Sequence, residues 1–260
     1  MISGFRMHLE AVKTVLAERM AYRGDFLISA TIMLIAEFIV PLVTFLIYRT
    51  GASFPGWSLY EALLIQGVFL LAKGIAFPVF FGMVWNTLLQ VREGTFDLLL
   101  IKPRSILHLV IATGFDAEDL GKFFGGIFIF VLALTHLPVP GLSQWVQFLM
   151  LFVLSLSVLF SFGLILSGIV FIWVGCSRVY EIFESVTAFG LYPRTIFTKG
   201  WIQGITLIIP IAMIGFFPAT VLLGKPAEWL GIAVLSTGVF LGASLKFWYW
   251  MLRQYSSAGG

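Results

Sequence analysis

Val91-Arg92-Glu93-Gly94-Thr95-Phe96-Asp97-Leu98-Leu99-Leu100-Ile101-Lys102-Pro103-Arg104 is a short charged island between very long apolar segments. Gly94 has no Cβ, so it can end a helix in the left-handed conformation. Thr95 can then N-cap a new turn, with Asp97 near its positive dipole end. Lys102-Pro103 closes the turn, because the residue before a proline avoids the helical region. The stretch therefore predicts helix, break, short helix and stop. The short helix would carry an apolar ridge of Phe96, Leu99 and Leu100. Such a ridge, flanked by charge, needs a surface to pack on, and the rest of the chain suggests that the surface is another protein.

The 260 residues are 60% hydrophobic and 11% charged, with mean hydropathy +1.01. A soluble domain usually carries about 25% charged residues, so this chain lacks the polar surface to cover a water-soluble globule. It reads as an integral membrane protein. Lipid permits spanning helices or a closed barrel; the apolar runs are about 20 residues or longer and do not alternate, which selects helices. The net charge of +3 does not imply a nucleic-acid partner. The basic residues are spread over several loops, where anionic lipid headgroups account for them. The single cysteine, Cys176, allows no intrachain disulfide and reads as a packing residue. Arg6, Glu10, Lys13, Glu18 and Arg19 interrupt the N-terminal stretch before a signal-peptide core could form.

Working outward from the island, residues 4–23 form an amphipathic surface helix with Phe5, Leu9, Val12, Leu16 and Met20 at spacings of three and four. Span 1 covers roughly 26–48, with Glu37 in its middle and a bend expected at Pro41. Span 2 covers roughly 58–84 and contains Lys73 and Pro78. Span 3 lies within 105–136, its first half interrupted by Asp116, Glu118, Asp119 and Lys122. Span 4 covers about 144–174 and span 6 about 228–250. The stretch 178–223 has two readings. In one, 178–198 is a cytoplasmic amphipathic segment and 200–222 is span 5. In the other, 177–193 is a short span 5, and 194–224, broken by Pro193, Pro210 and Pro218, dips into the outer leaflet and returns. Both readings give six spans with both termini on one side. Arg6, Lys13, Arg19, Arg23, Arg92, Lys102, Arg104, Arg178 and Arg253 fall on the terminus side, so the termini and the 91–104 island are expected in the cytoplasm. Trp57, Trp145, Trp201, Trp229, Trp248 and Trp250 sit near expected span ends, as an interfacial belt requires.

Motifs for chemistry are sparse. Gly121-Lys122 is followed by Phe123 and Gly224-Lys225 by Pro226, so no phosphate-binding GxxxxGK[ST] loop is present. His8, His108 and His136 are far apart in sequence, and no Ser-His-Asp grouping stands out. Asp116, Glu118 and Asp119 could form a metal or acid–base site; pairing with Lys122 and cytoplasmic basic residues is the simpler role. If the protein consumes free energy, the engine is on another chain. No catalytic residue, cofactor or metal is assigned to this one. Glu37 and Lys73 are more informative, because ionisable groups at membrane depth face a cavity or a partner. At about 1.5 Å per residue both lie roughly 14–16 Å from the cytoplasmic edge of their spans, so they are expected to pair. That pair either pins helix register or lines a translocation path, which Gln66 and Thr44 could join.

An N-terminal surface helix, six spans and a charged loop between spans 2 and 3 together resemble the ABC-2 family of ABC-exporter permeases. Arg92-Glu93-Gly94-Thr95-Phe96-Asp97-Leu98-Leu99-Leu100-Ile101-Lys102-Pro103, the stretch from Tyr192-Pro193 through Pro210 to Phe217-Pro218-Ala219, and the tail Leu252-Arg253-Gln254-Tyr255-Ser256-Ser257-Ala258-Gly259 are similar to the small stand-alone bacterial permeases of that family. The resemblance implies an all-α integral membrane protein with the six-span ABC-2 (type II/type V exporter) fold. It implies a connecting helix within 1–24, a six-span domain over 25–253 and a cytoplasmic tail at 254–260. Within that domain it implies a coupling loop at 85–105 and a re-entrant segment at 194–224. It also implies two paired permease subunits in a bacterial cytoplasmic membrane, with separate ATPase subunits that carry ATP and Mg. Arg92, Glu93, Gly94, Thr95, Phe96, Asp97, Lys102 and Pro103 would then form the ATPase-coupling site. Glu37, Gln66 and Lys73 would be candidates for the path of a lipid-like or amphipathic cargo, with a glycan, peptide or drug as the alternative. An ATP-independent carrier or a membrane-embedded enzyme would need no ATPase.

Overall fold

The computed structural model describes residues 4–173, 177–196 and 208–256. Cys176, Lys199, Trp201 and residues 257–260 lie outside them. Among the described residues there is no strand. The first helix, α1 (Gly4–Ala21), leads into α2 (Arg23–Glu37) and α3 (Ile39–Arg49). The last two form one apolar rod interrupted at Phe38. Pro41 explains the break, since it has no N–H to offer the Glu37 carbonyl and its ring crowds that carbonyl. The ladder resumes with Leu42 N–H donating to Phe38 O at 2.9 Å.

Helix α4 (Leu59–Ala76) begins at a capping box. Ser58 Oγ accepts from Glu61 N–H at 3.4 Å, and Glu61 Oε2 accepts from Ser58 N–H at 2.9 Å. It is the hub of the fold, buried without interruption from Ala62 to Leu70. At Phe77–Phe81 it widens into a π-helical turn, where Pro78 removes a donor from the ladder. It continues as α5 (Met83–Arg92). There follow α6 (Asp97–Leu100), α7 (Ile106–Thr113), α8 (Leu120–Leu134) and α9 (Leu142–Val170). After these come α10 (Ser177–Thr187), extended by a 3-10 turn at Ala188–Leu191, then α11 (Phe216–Leu222) and α12 (Leu230–Leu252).

Among the described residues, four helical stretches are long and apolar enough to cross a membrane: Arg23–Arg49, Leu59–Arg92, Leu142–Val170 and Leu230–Leu252. The expected third span is instead two shorter helices, α7 and α8, with a turn at 114–119 between them. The reason is charge. A continuous helix would carry Asp116, Glu118 and Asp119 through lipid, whereas the turn lets them pair: Lys122 Nζ meets Asp119 Oδ1 at 2.5 Å, and Arg19 bonds Glu118 and stands 3.9 Å from Asp116. The Arg19 contacts also tie α1 to this turn. Among the described residues no acidic cluster with a metal-site arrangement occurs. Of the stretch with two readings, the described residues form α10 and its 3-10 extension over 177–191 and a buried segment over 210–222, while 197–207, on which the choice between a span at 200–222 and a re-entrant segment at 194–224 turns, lie outside them.

Helix α8 lies against both α2 and α4, and glycines set the approach. A Cβ on Gly67 would stand 2.7 Å from the Phe130 backbone, and one on Gly126 would stand 2.6 Å from Leu71 N. Gly121 and Gly125 meet α2 at Ala30 and Glu37. Small residues matter here because lipid provides no hydrophobic drive between helices, so close backbone packing holds them together. On the other side α9 packs on α12, with the buried Trp248 Nε1–H donating to Ser167 Oγ at 3.1 Å. Trp248 is thus a core residue, not part of an interfacial belt. Trp57 is also buried, while Trp229 and Trp250 are exposed.

Residues 194–196 and 225 meet the same loop. Trp57 Nε1–H donates to Thr195 Oγ1 at 3.0 Å, and Lys225 Nζ donates to Gly56 O at 3.2 Å. Residues 210–222 are buried, and Ser155 Oγ of α9 donates to Met213 O at 2.6 Å.

Candidate functional site

The 91–104 loop folds largely as its residues dictate. Helix α5 ends with Glu93 N–H on Leu89 O at 2.9 Å, and Gly94 then turns left-handed at φ 69°. Phe96 N–H reaches back to Gln90 O at 3.1 Å. Thr95 departs from expectation. It does not cap α6; its Oγ1 donates to Gln90 O at 3.4 Å and so closes the end of α5. The carbonyls left open by the preceding helix are nearer than the amides of a four-residue turn.

The apolar ridge is also corrected. Phe96 is 0% exposed and Leu99 is buried, so neither awaits a partner. Phe96 sits 5.0 Å from the Phe171 ring and 5.1 Å from the Tyr255 ring, and Phe171 lies 5.7 Å from Trp248. The loop is thereby keyed into the end of α9, α12 and the C-terminal tail. The residues that face outward are Leu98 (57% exposed) and Ile101 (79% exposed), with Leu100 beside them. Arg92, Glu93, Thr95, Lys102 and Pro103 frame this apolar tip, all exposed. Sequence reasoning missed Leu98 and Ile101; a four-residue helix is too short for periodicity to distinguish its inner face from its outer one.

Burial, followed by the carboxylate of Asp97 beside it, raises the pKa of the Tyr255 hydroxyl above the ordinary phenol range. Below that range the hydroxyl is neutral in both folded and unfolded chains, and the packing on Phe96 is unaffected. As pH rises through it the unfolded chain ionises first, so stability falls. Tyr255→Phe should remove that part of the alkaline loss, as thermal melting of the detergent-solubilised protein at successive alkaline pH values would show.

The second cluster lies inside the bundle. Glu37 and Lys73 do not bond to each other. Lys73 Nζ instead bonds Glu184 Oε2 of α10 at 3.0 Å. The reason is α8, which packs on both α2 and α4 at this level: a Cβ on Gly125 would lie 3.2 Å from Glu37 Cβ, and Gly126 abuts Leu71. Glu37 feels the charges of Lys73, Lys122, Glu184 and Asp119 through space. Phe77 of the π-helical turn lies between the two cations, its ring 5.2 Å from Lys73 Nζ and 4.1 Å from Lys122 Nζ. Glu184 was not singled out from the sequence, because the position of its helix was ambiguous there. Gln66 and Thr44 do meet: Gln66 Nε2 donates to Thr44 Oγ1 at 2.7 Å, both side chains being buried between α3 and α4. Gln66 Oε1 has no hydrogen bond among the described residues.

The described residues thus form a helical membrane architecture of several apolar helices, with an internal charge cluster and an exposed apolar tip on a charged loop. A family profile described as an ABC-2 family transporter protein matches residues 31–259, and the chain belongs to that family. No curated protein and no solved structure was found to match it.

Proposed function

We propose that the chain is the permease subunit of an ATP-driven exporter. Two permease subunits, either two copies of this chain or this chain with a relative, pair in the membrane. Cytoplasmic ATPase subunits, which carry the ATP and Mg, dock on the 91–104 loop. The seating of Phe96 carries this reading. A loop whose tip is exposed while its base is locked into α9, α12 and the tail transmits a push at Leu98 and Ile101 to the membrane helices instead of yielding locally. Such a device biases a two-state bundle by differential contact.

In this reading the chain crosses a bacterial cytoplasmic membrane six times with both termini inside, α7–α8 and α10 serving as the third and fifth crossings. The described parts of the 194–224 segment, 194–196 and 208–224, belong in this reading to a stretch that re-enters from the outside. The shared contacts of Thr195 and Lys225 with the 55–57 loop support that topology. The cargo is lipid-like or amphipathic, in keeping with the largely apolar α4 from which Lys73 reaches Glu184.

Paired substitution Leu98→Asp and Ile101→Asp should reduce ATPase co-purification and stimulated ATP hydrolysis by at least about tenfold, since two apolar anchors at the centre of an interface are each worth roughly 1–2 kcal/mol. Size-exclusion profiles should remain those of the wild type, because both side chains already face outward. Undiminished co-purification and stimulation would sink the coupling assignment.

A further inference from the structure

At the end of the bundle where Thr195 and Lys225 meet the 55–57 loop, two concavities are lined by neighbouring residues of the same two stretches. The first, about 370 Å³, is the more polar of the two and is lined by Trp57, Arg194, Thr195, Lys225, Glu228 and Trp229 among others. The second, about 350 Å³, is an apolar groove lined by Phe54, Ala188, Phe189, Tyr192 and Ile196, with Ser185 as its polar member. Two short stretches serve both. Phe54 faces the groove and Trp57 the cavity; Tyr192 and Ile196 face the groove, Arg194 and Thr195 the cavity. The stretches are stitched together by the Trp57–Thr195 hydrogen bond and by the edge contact of Phe54 with Tyr192 at 6.0 Å.

The cations of the polar cavity are not equivalent. Lys225 is engaged: its Nζ bonds Glu61 Oε1 at 2.8 Å and Gly56 O at 3.2 Å, and stands 4.3 Å from the Trp57 ring. Arg194 is held differently. Its Nε is buried without a hydrogen bond among the described residues, its guanidinium lies 5.6 Å over the Phe217 ring, and Glu228 acts on it through space without forming an ion pair. A planar fork of donors held beside an aromatic ring, with a buried Nε–H lacking an acceptor, suits a phosphate oxyanion. Beside it, Trp229 holds a left-handed backbone at φ 68°, a strained state for a tryptophan and one found at ligand clamps.

We infer that this end of the protein binds a phospholipid-class amphiphile, with its phosphate on Arg194 in the polar cavity and an acyl chain along the Phe54–Ala188–Tyr192 groove. Glu228 in the same cavity repels a second negative charge, so a phosphodiester monoanion is preferred to a phosphomonoester dianion. This deepens the cargo class given above and rests on that reading only for the direction of traffic; the binding itself needs no ATPase.

The test uses the whole chain in phosphatidylcholine bilayers containing phosphatidylglycerol with a photoreactive acyl chain, and maps the cross-links by peptide mass spectrometry. Labelling is expected on 188–196 and at Phe54. Arg194→Gln should lower it about tenfold, the scale of one lost charge-assisted hydrogen bond, and Arg194→Lys should restore part of it. Ala188→Trp, which fills the groove and leaves Arg194 in place, should abolish labelling by phosphatidylglycerol and phosphatidylcholine probes alike. Inorganic phosphate at millimolar concentration should not compete. Equal labelling of the wild type and Arg194→Gln overturns the inference. So does displacement by inorganic phosphate, which would mark a free-anion site, or cross-linking of the groove to a second copy of the chain. Because the measurement omits the ATPase, its failure is distinct from failure of the Leu98/Ile101 docking test.

Discussion

Gly74→Leu should leave almost no monodisperse protein in detergent extracts, whereas Gly238→Leu should behave as the wild type. A Cβ at Gly74 would overlap the Phe123 backbone where α4 crosses α8, and the atoms it meets are main-chain Cα and N, which cannot rotate away. The same crossing is already closed at Gly67 against Phe130 and at Gly126 against Leu71, so no shift along the pair relieves the clash without opening another contact. Overpacking a core typically costs about 1–3 kcal/mol when side chains can adjust; displacing two backbones should cost more, about 4 kcal/mol or above, a large share of the roughly 5–15 kcal/mol that holds a domain folded. A Cβ at Gly238 would meet nothing within 4 Å among the described residues, so this position serves as the control for a glycine-to-leucine change in an apolar helix. Fluorescence-detected size exclusion and a melting curve decide it. A Gly74→Leu protein that elutes and melts like the wild type would mean that α4 and α8 do not cross at backbone contact.

Lys73→Met should destabilise the solubilised protein by about 2 kcal/mol, and Lys73→Met combined with Glu184→Leu should recover most of that loss. Removing one member of a fully buried pair costs roughly 3–5 kcal/mol; the expected value here is lower because Glu184 is 35% exposed and can find water. The loss has a second component. Among the described residues, Glu37, Asp119 and Glu184 share the charges of Lys73 and Lys122, so deleting Lys73 leaves three carboxylates around one cation. Glu37→Gln should have the smaller effect, because Glu37 makes no direct bond to Lys73. A double-mutant cycle on melting temperature measures the coupling. Additive effects of the two substitutions would remove the Lys73–Glu184 bond as a structural element.

Much of the architecture was legible in the residues. Long apolar runs with few charges can only be helices in lipid, because every backbone amide must be satisfied within its own segment. Gly94 as a helix stop, Pro41 as a break and the pairing of Lys122 with its acidic neighbours follow from local rules acting over fewer than ten residues. Two readings that depended on which helices are neighbours failed, although Gln66 and Thr44, also grouped across two helices, do meet. The Glu37–Lys73 pairing matched two depths along two helices, but depth says nothing about what stands between them, and α8 stands there. The Phe96 ridge counted apolar residues without knowing that Phe171 and Tyr255, distant in sequence, would close over half of them.

The sequence by itself determined a polytopic helical protein, the break at 91–104 and the absence of a nucleotide-binding loop, since composition, hydropathy and local backbone chemistry require no knowledge of partners. Only the tertiary structure decided that Lys73 answers to Glu184, that Leu98 and Ile101 are the outward tip of the loop, and that Arg194 holds a buried Nε–H with no acceptor among the described residues, in a cavity next to an apolar groove. Each of these rests on contacts between residues far apart in the chain, and such contacts are set by which helices can approach closely, here through the glycines of α4 and α8.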